Sequence, residues 1–362
     1  MHTQSKFRLL VVRLGAMGDI LHALPAVTAL RQAHPGWVID WVVEPRWRGL
    51  LAADGSRGRE TGLNATEVNP AQPIVDQLLL APTKDWRNAP LSRKTIHEIR
   101  GLRQALRAGD YDTVIDLQGA LRSAVIGRMA GCQRLIGEAQ PRERAARFLF
   151  TERVETQAAH VIEQDVELAA AVAGDDLTAV APMLPVDSIA ESWVERILPL
   201  GAHSSAVLIN PGAGWGAKRW PVERYALVAK GLIDRGVRVL VNAGPGEEPL
   251  AEAIVQTAGA ATALSCSIEQ LIALTRRVSL AIAGDTGPLH LACALGRPVV
   301  GIYGPTDPSR NGPFGTKFKV LRSPESRRDH TRYAEPEAGL LTITPENVLQ
   351  AAGELLAEES AL

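Results

Sequence analysis

Little in this 362-residue chain points to covalent staples, bound metals or membrane spans. Its three cysteines, Cys132, Cys266 and Cys293, are odd in number, widely spaced and without a CxxC pair, which argues against a disulfide framework and fits a reducing cytoplasm. No stretch reaches the roughly 18 uninterrupted apolar residues of a membrane span. The basic N-terminus leads into Leu9 to Val12, but Arg13 and Asp19 interrupt the run too early for the apolar core of a signal peptide. Charge of one sign is missing too. With 39 Lys and Arg against 40 Asp and Glu the formal charge is −1, so no global field favours nucleic acid. No GxGxxG follows a strand, as a dinucleotide-dependent oxidoreductase would require, and no P-loop Lys-Ser/Thr or GxSxG hydrolase elbow occurs. No His, Cys and Asp set has metal-ligand spacing, and no short-period repeat is present.

What the chain has is length and 46% hydrophobic content, enough for two ordinary cores. Short apolar strands alternate with helical stretches: strand Leu9 to Val12, helix Asp19 to Ala33, strand Val38 to Val43, a helix around Lys94 to Arg107, and strand Thr113 to Leu117. A second series begins at Val207 and continues through Val237 to Val241, Leu280 to Ala283 and Val299 to Tyr303. Alternation of this kind predicts parallel sheets and an α/β fold. We therefore expect one domain over 1–185, a linker within 181–205, a second domain over 200–340, and a C-terminal amphipathic helix over 345–360 that packs back across the first domain. Residues 54–73, rich in Gly, Asn and Pro, read as an irregular insertion.

Three Gly-containing strand-to-helix loops carry the candidate chemistry. In Arg13-Leu14-Gly15-Ala16-Met17-Gly18-Asp19 the glycines permit a tight turn, and Asp19 is either a helix cap or a general base. In Asn210-Pro211-Gly212-Ala213-Gly214-Trp215-Gly216-Ala217-Lys218-Arg219 the backbone N–H groups can reach phosphate oxygens, and Lys218 or Arg219 can neutralise a diphosphate without a metal. The third loop, Gly284-Asp285-Thr286-Gly287-Pro288, opens a short helix over Leu289 to Leu295. Pro288 suits its first turn, Asp285 or Thr286 its N-cap, and the dipole end favours an anion such as a phosphorylated ligand. His290, one turn in, is either a satisfied core residue or a ligand contact. Glu247, after the Val237 strand, is placed to accept from a ribose or to charge a helix N-terminus. Asp110-Tyr111-Asp112 mimics the DxD of metal-dependent sugar transferases, but it precedes a strand and so falls at the wrong end of the sheet. Residues 84–153 hold 14 Lys and Arg against 8 Asp and Glu without interleaved aromatics, a surface suited to an acidic substrate rather than nucleic acid.

Taken together, LGAMGDILHALPAVTALRQAHP, PGAGWGAKRWP and DTGPLHLACALGRPVVGIYGPTDP resemble the family 9 glycosyltransferases, the bacterial ADP-heptose:lipopolysaccharide heptosyltransferases. The resemblance covers about 1–50, 74–170 and 205–315. The N-terminal half is nearer the heptosyltransferase I pattern and the PGAGWGAKRWP loop nearer heptosyltransferase II. It implies a GT-B architecture, two Rossmann-like doubly wound domains facing across a cleft, and inverting transfer with neither cofactor nor metal. The implied partners are ADP-heptose and an anionic inner-core glycolipid at the cytoplasmic face of the inner membrane. By motif, Asp19 matches the catalytic aspartate. Gly212, Ala213, Lys218, Glu247, Cys266, Asp285, Thr286, Gly287 and His290 match donor contacts, with Glu247 at the ribose and Cys266 near adenine. Gly18, Lys84, Arg87, and Arg142 or Arg144 match acceptor contacts. Two departures stand out: Asn88 replaces a basic residue of the heptosyltransferase I pattern, and 54–73 has no counterpart in it.

Overall fold

Strands buried on both faces read as near-continuous apolar runs, and here each such run is separated from the next by a helix or loop crossover, as parallel sheets require. The computed structural model describes residues 6–53, 69–199, 205–328 and 333–360, and the chain divides into two units, 1–186 and 187–362. Most of the irregular 54–73 stretch lies outside the described residues.

The first unit runs β1 (Arg8–Val12), α1 (Met17–Ala33), β2 (Val38–Val43), β3 (Gln77–Leu80), α2 (Thr83–Asn88), α3 (Arg93–Ala108), β4 (Thr113–Asp116), α4 (Leu121–Met129), β5 (Arg134–Glu138), β6 (Glu152–Val154) and α5 (Val161–Ala173). Its sheet is parallel throughout, in the order β3-β2-β1-β4-β5-β6. The second unit runs α6 (Ser188–Ile197), β7 (Ala206–Asn210), α7 (Val222–Ile233), β8 (Arg238–Asn242), α8 (Glu248–Ala258), β9 (Thr262–Leu264), α9 (Ile268–Thr275), β10 (Leu280–Gly284), α10 (Gly287–Ala294), β11 (Val299–Tyr303), α11 (Pro308–Asn311), β12 (Phe318–Arg322) and α12 (Pro345–Ser360). Its sheet, β12-β11-β10-β7-β8-β9, is parallel as well. Each unit thus has the doubly wound Rossmann order, and the pair of them in one chain is the GT-B class. In this order the strand sequence reverses at β1/β4 and at β7/β10. The loops leaving those four strands open the crevices in which such sheets bind ligands.

Two helices show which elements close the second unit. The helix α6 falls inside the stretch expected to link the domains, where the sequence predicts a short helix, and it packs on α9 of the second unit, where Glu191 pairs with Arg276 at 3.0 Å and with Arg277 at 3.4 Å. The C-terminal helix α12 belongs to the second unit as well. Its Val348, Ala351, Ala352 and Leu355 join Val228, Ala229 and Leu232 of α7 in one core, and they pack with Ile282 and Val300 of the sheet. That face is consumed within its own unit. Asp110 and Asp112 lie before β4, with Asp112 accepting from Arg8 N at 2.8 Å, so the DxD string sits at the N-terminal edge of the sheet.

Candidate active site

In the first unit the β1 loop is fixed by β4. Gln118, just past β4, accepts from Leu14 N at 3.1 Å and from Gly15 N at 3.3 Å through Oε1, bridging the two loops of the switch point. Beneath them Asp116 is buried and accepts from Gln118 N (2.8 Å), Gly119 N (2.9 Å) and Ser123 Oγ (2.8 Å). Arg13 is also buried, with its carbonyl capped by Trp41 Nε1 at 2.9 Å. Its guanidinium donates to Asp19 O at 3.1 Å and lies 3.6 Å from Asp19 Oδ1.

The helix α1 starts at Met17, two residues earlier than expected, and places Asp19 at the third helical position. Ala16, at the N-cap, has no side chain able to cap, and Asp19 Oδ2 reaches back to accept from Ala16 N at 3.0 Å. The Asp19 side chain stays about a third exposed, 35% of its surface. Asp19 is therefore both a helix-end acceptor and a carboxylate open to a ligand. Neighbouring strand ends position the basic residues. Glu44, buried at the end of β2, accepts from Thr83 Oγ1 and from Lys84 N (3.1 Å), which seats the start of α2. Lys84 and Arg87 are exposed on that helix, while Trp86 between them donates to Glu98 at 2.8 Å. Glu143 N donates to Gly119 O at 2.9 Å, so Arg142 and Arg144, both exposed, flank a residue laid on the β4 loop. Sequence reasoning passed over Arg13, Asp116 and Gln118. A polar residue ending the buried strand next to β1 was the available signal.

Burial raises the Asp116 pKa from the ordinary 3.8 to about 6, although its hydrogen bonds and the nearby Arg13 charge oppose the shift. The folded chain therefore holds this proton through a pH range in which the unfolded chain has released it. Stability owed to Asp116 declines as pH climbs from about 4 to about 6, by up to ~3 kcal/mol. Denaturant titrations should show that loss shrinking in Asp116→Asn, whose amide still accepts from the backbone. An identical pH dependence in both proteins would refute the assignment.

In the second unit the same switch-point logic brings β7 and β10 together through charge. Lys218 Nζ donates to the Asp285 carboxylate and to Asp285 O at 3.2 Å, and it stands 4.4 Å from the centroid of the Trp215 ring. Asp285 Oδ1 lies 3.1 Å from His290 Nε2. Side-chain exposures of 11%, 7% and 6% for Lys218, Asp285 and His290 make this a buried charged cluster. Burial opposes ionisation of Asp285, but the His290 hydrogen bond and the Lys218 charge outweigh it and hold the carboxyl well below the usual range. An ionised carboxylate only accepts, so His290 Nε2 carries the hydrogen. Arg219, the other candidate for the diphosphate, is exposed.

The Lys218 loop is moulded by close approach. Any β-carbon on Gly216 would collide with the carbonyl of Ala334, and Ala217 is held by Tyr333 O (3.0 Å) and Glu337 N (3.2 Å). Likewise a β-carbon on Gly212 would overlap the Glu247 carboxylate. Glu247 ends at Gly244 N (3.3 Å), at the N-cap position of α8, and half-buried. Cys266 N donates to Asn242 Oδ1 at 3.1 Å, and Asn242 Nδ2 to Asn210 Oδ1 at 3.0 Å, joining the ends of β7, β8 and β9. Burial pushes the Cys266 thiol up to about 12, so it is a neutral, apolar wall. Thr286 is the N-cap of α10 with no side-chain cap bond, its Oγ1 donating instead to Gly284 O at 3.2 Å. The N–H of Gly287 opens that helix. Ala213 is buried in the loop and Gly18 half-buried in the first turn of α1. Among the described residues no three His, Cys, Asp or Glu side chains gather as a metal would need.

Each unit therefore gathers its sequence-predicted residues at the C-terminal edge of its own sheet. The profile of glycosyltransferase family 9 (heptosyltransferase) matches residues 99–340. Lipopolysaccharide heptosyltransferase 1 of Escherichia coli strain K12 is 30% identical over 323 residues, 88% of this chain and 94% of that protein. The corresponding Salmonella typhimurium protein is 28% identical over 330 residues, 88% of this chain and 95% of its own. Among solved structures, E. coli heptosyltransferase WaaC with ADP-2-deoxy-2-fluoro heptose superposes with a TM-score of 0.75 at 28% identity, covering 96% of this chain and 99% of that one. A profile match over most of the chain and relatives aligned nearly end to end place the protein in glycosyltransferase family 9.

Proposed function

We propose that the protein transfers a heptose from ADP-heptose to the inner core of lipopolysaccharide, with inversion and without a metal. The observation that carries the reading is the buried Lys218–Asp285–His290 cluster at the β7/β10 switch point, in a chain whose relatives are lipopolysaccharide heptosyltransferases. One of its structural neighbours holds an ADP-heptose analogue. The second unit binds the donor. Lys218 and the N–H at the start of α10 face the diphosphate, Glu247 the ribose, and the Cys266 wall the adenine. The first unit binds the acceptor and supplies the base. Asp19 takes the proton of an acceptor hydroxyl as its oxygen bonds to the anomeric carbon. The bond from that carbon to the diphosphate breaks on the opposite face, and ADP leaves with the electron pair. Lys218 and the α10 N–H groups stabilise the charge that develops there. Arg13 holds Asp19 toward its task from the buried side.

Supplying a panel of nucleotide-sugars with core acceptors and identifying products by mass spectrometry tests this directly. ADP-heptose with an inner-core acceptor should give a product one heptose heavier, and activity should survive EDTA. A product from another sugar alone, no product despite ADP binding, or an EDTA loss restored by Mg²⁺ or Mn²⁺ would each overturn part of the reading.

The acceptor is anionic and lipid-anchored, so the protein works at the cytoplasmic face of the inner membrane. No helix among the described residues is long and apolar enough to cross a membrane. The exposed Lys84, Arg87, Arg142 and Arg144 read the acceptor's carboxylates and phosphates. Losing one charged hydrogen bond costs about ten-fold or more in affinity, so Arg87→Ala should raise the acceptor KM by that factor and leave the donor KM unchanged. Salt should raise the acceptor KM of the wild type more than that of the variant, since screening removes what the substitution has already removed. Equal losses for donor and acceptor would refute the division of labour.

A further inference from the structure

A second surface of the first unit adjoins the basic acceptor residues. The helix α4 carries no acidic residue, and Leu121, Arg122, Val125 and Arg128 are its exposed positions, with Leu121 43% and Val125 45% accessible. Packed against it, the turn over Arg144–Phe148 presents Arg144, Arg147 and Phe148, the last 75% exposed with the Arg147 guanidinium 5.6 Å from its ring centroid. Glu143, the acidic residue between them, is occupied in accepting from Leu121 N at 2.8 Å. Single exposed apolar side chains are ordinary, but three of them interleaved with four arginines on two touching elements are not.

We propose that this face docks the protein on an anionic lipid surface. Apolar side chains set among arginines are the composition of interfacial binding. The rings and methyls enter the headgroup boundary while the guanidinium groups stay at phosphate level. Net positive charge on the patch selects anionic over zwitterionic lipid. The start of α4 also abuts the β4 loop on which Arg142 and Arg144 flank Glu143, so docking here would present a lipid-anchored acceptor to the acceptor edge of the sheet. The inference rests on the proposed function only for that purpose. Binding itself is independent of it.

The full chain should co-sediment with vesicles of phosphatidylcholine containing phosphatidylglycerol at least about ten-fold more tightly than with phosphatidylcholine alone, and the preference should fade in high salt. Val125→Ser with Phe148→Ser, and separately Arg122→Gln with Arg147→Gln, should each cut vesicle binding several-fold while thermal unfolding stays unchanged. Turnover on a water-soluble acceptor fragment should be unaffected in both variants, and turnover on a vesicle-borne acceptor should fall. Vesicle binding that persists in both variants overturns the proposal. So does wild-type binding that ignores lipid charge, or variants that lose self-association while the wild type never binds vesicles. Vesicle binding that follows these expectations in a protein that transfers no heptose would support the docking face and sink the functional reading instead.

Discussion

Asp19→Asn should lower kcat by about 10² or more while ADP binding persists, because the substitution removes a usable base and little else. The amide oxygen of Asn can still accept from Ala16 N, the bond that Asp19 Oδ2 makes at 3.0 Å, so the first turn of α1 keeps its end. What disappears is the charge facing Arg13 at 3.6 Å and, in the mechanism proposed above, the base for the acceptor's proton. Calorimetric titration with ADP, whose contacts are assigned to the second unit, should give the wild-type affinity, and thermal unfolding should move little. Near-normal turnover in the variant would return Asp19 to a purely helix-terminal role.

Lys218→Met should act on stability and turnover together. Its charge is buried against Asp285, and removing one partner of a buried pair leaves the other uncompensated at about 3 to 5 kcal/mol. His290 alone then faces the carboxylate. Loss of charge stabilisation at the departing diphosphate should lower kcat by about 10² to 10³ and weaken ADP binding in parallel. A double variant, Lys218→Met with Asp285→Asn, separates the two effects, since it removes the orphaned charge without restoring the cation. Stability should recover in part and turnover should not. Recovery of both would mean that Lys218 serves only the fold.

The strands could be located from sequence because both faces of each sheet are covered, so Leu9 to Val12, Val38 to Val43 and Val299 to Tyr303 carry almost no polar interruption. The residues proposed for the donor could be picked out because each lies in a loop or helix start that follows such a strand. Contacts across the chain could not. Lys218 and Asp285 are separated by 67 positions, and only the order β10-β7 brings them together. The start of α1 escaped because Ala16 offers no capping side chain to announce it. An amphipathic stripe specifies burial without naming what it covers, so the packing of α12 on α7 could not be read from its own residues. Nothing local marks Arg13 and Asp116, whose charges are brought near each other by the pairing of β1 with β4.

The contact between Gly216 and the Ala334 carbonyl gives the last stretch of chain a meaning that its position would not suggest. Tyr333 and Glu337 grip Ala217, while Leu340, Ile343 and α12 anchor that grip in the core beneath. The segment is a mould, and the loop bearing Lys218 is cast in it. A chain ending before Tyr333 would retain every residue assigned to the donor and still lose the surface that gives their loop its shape.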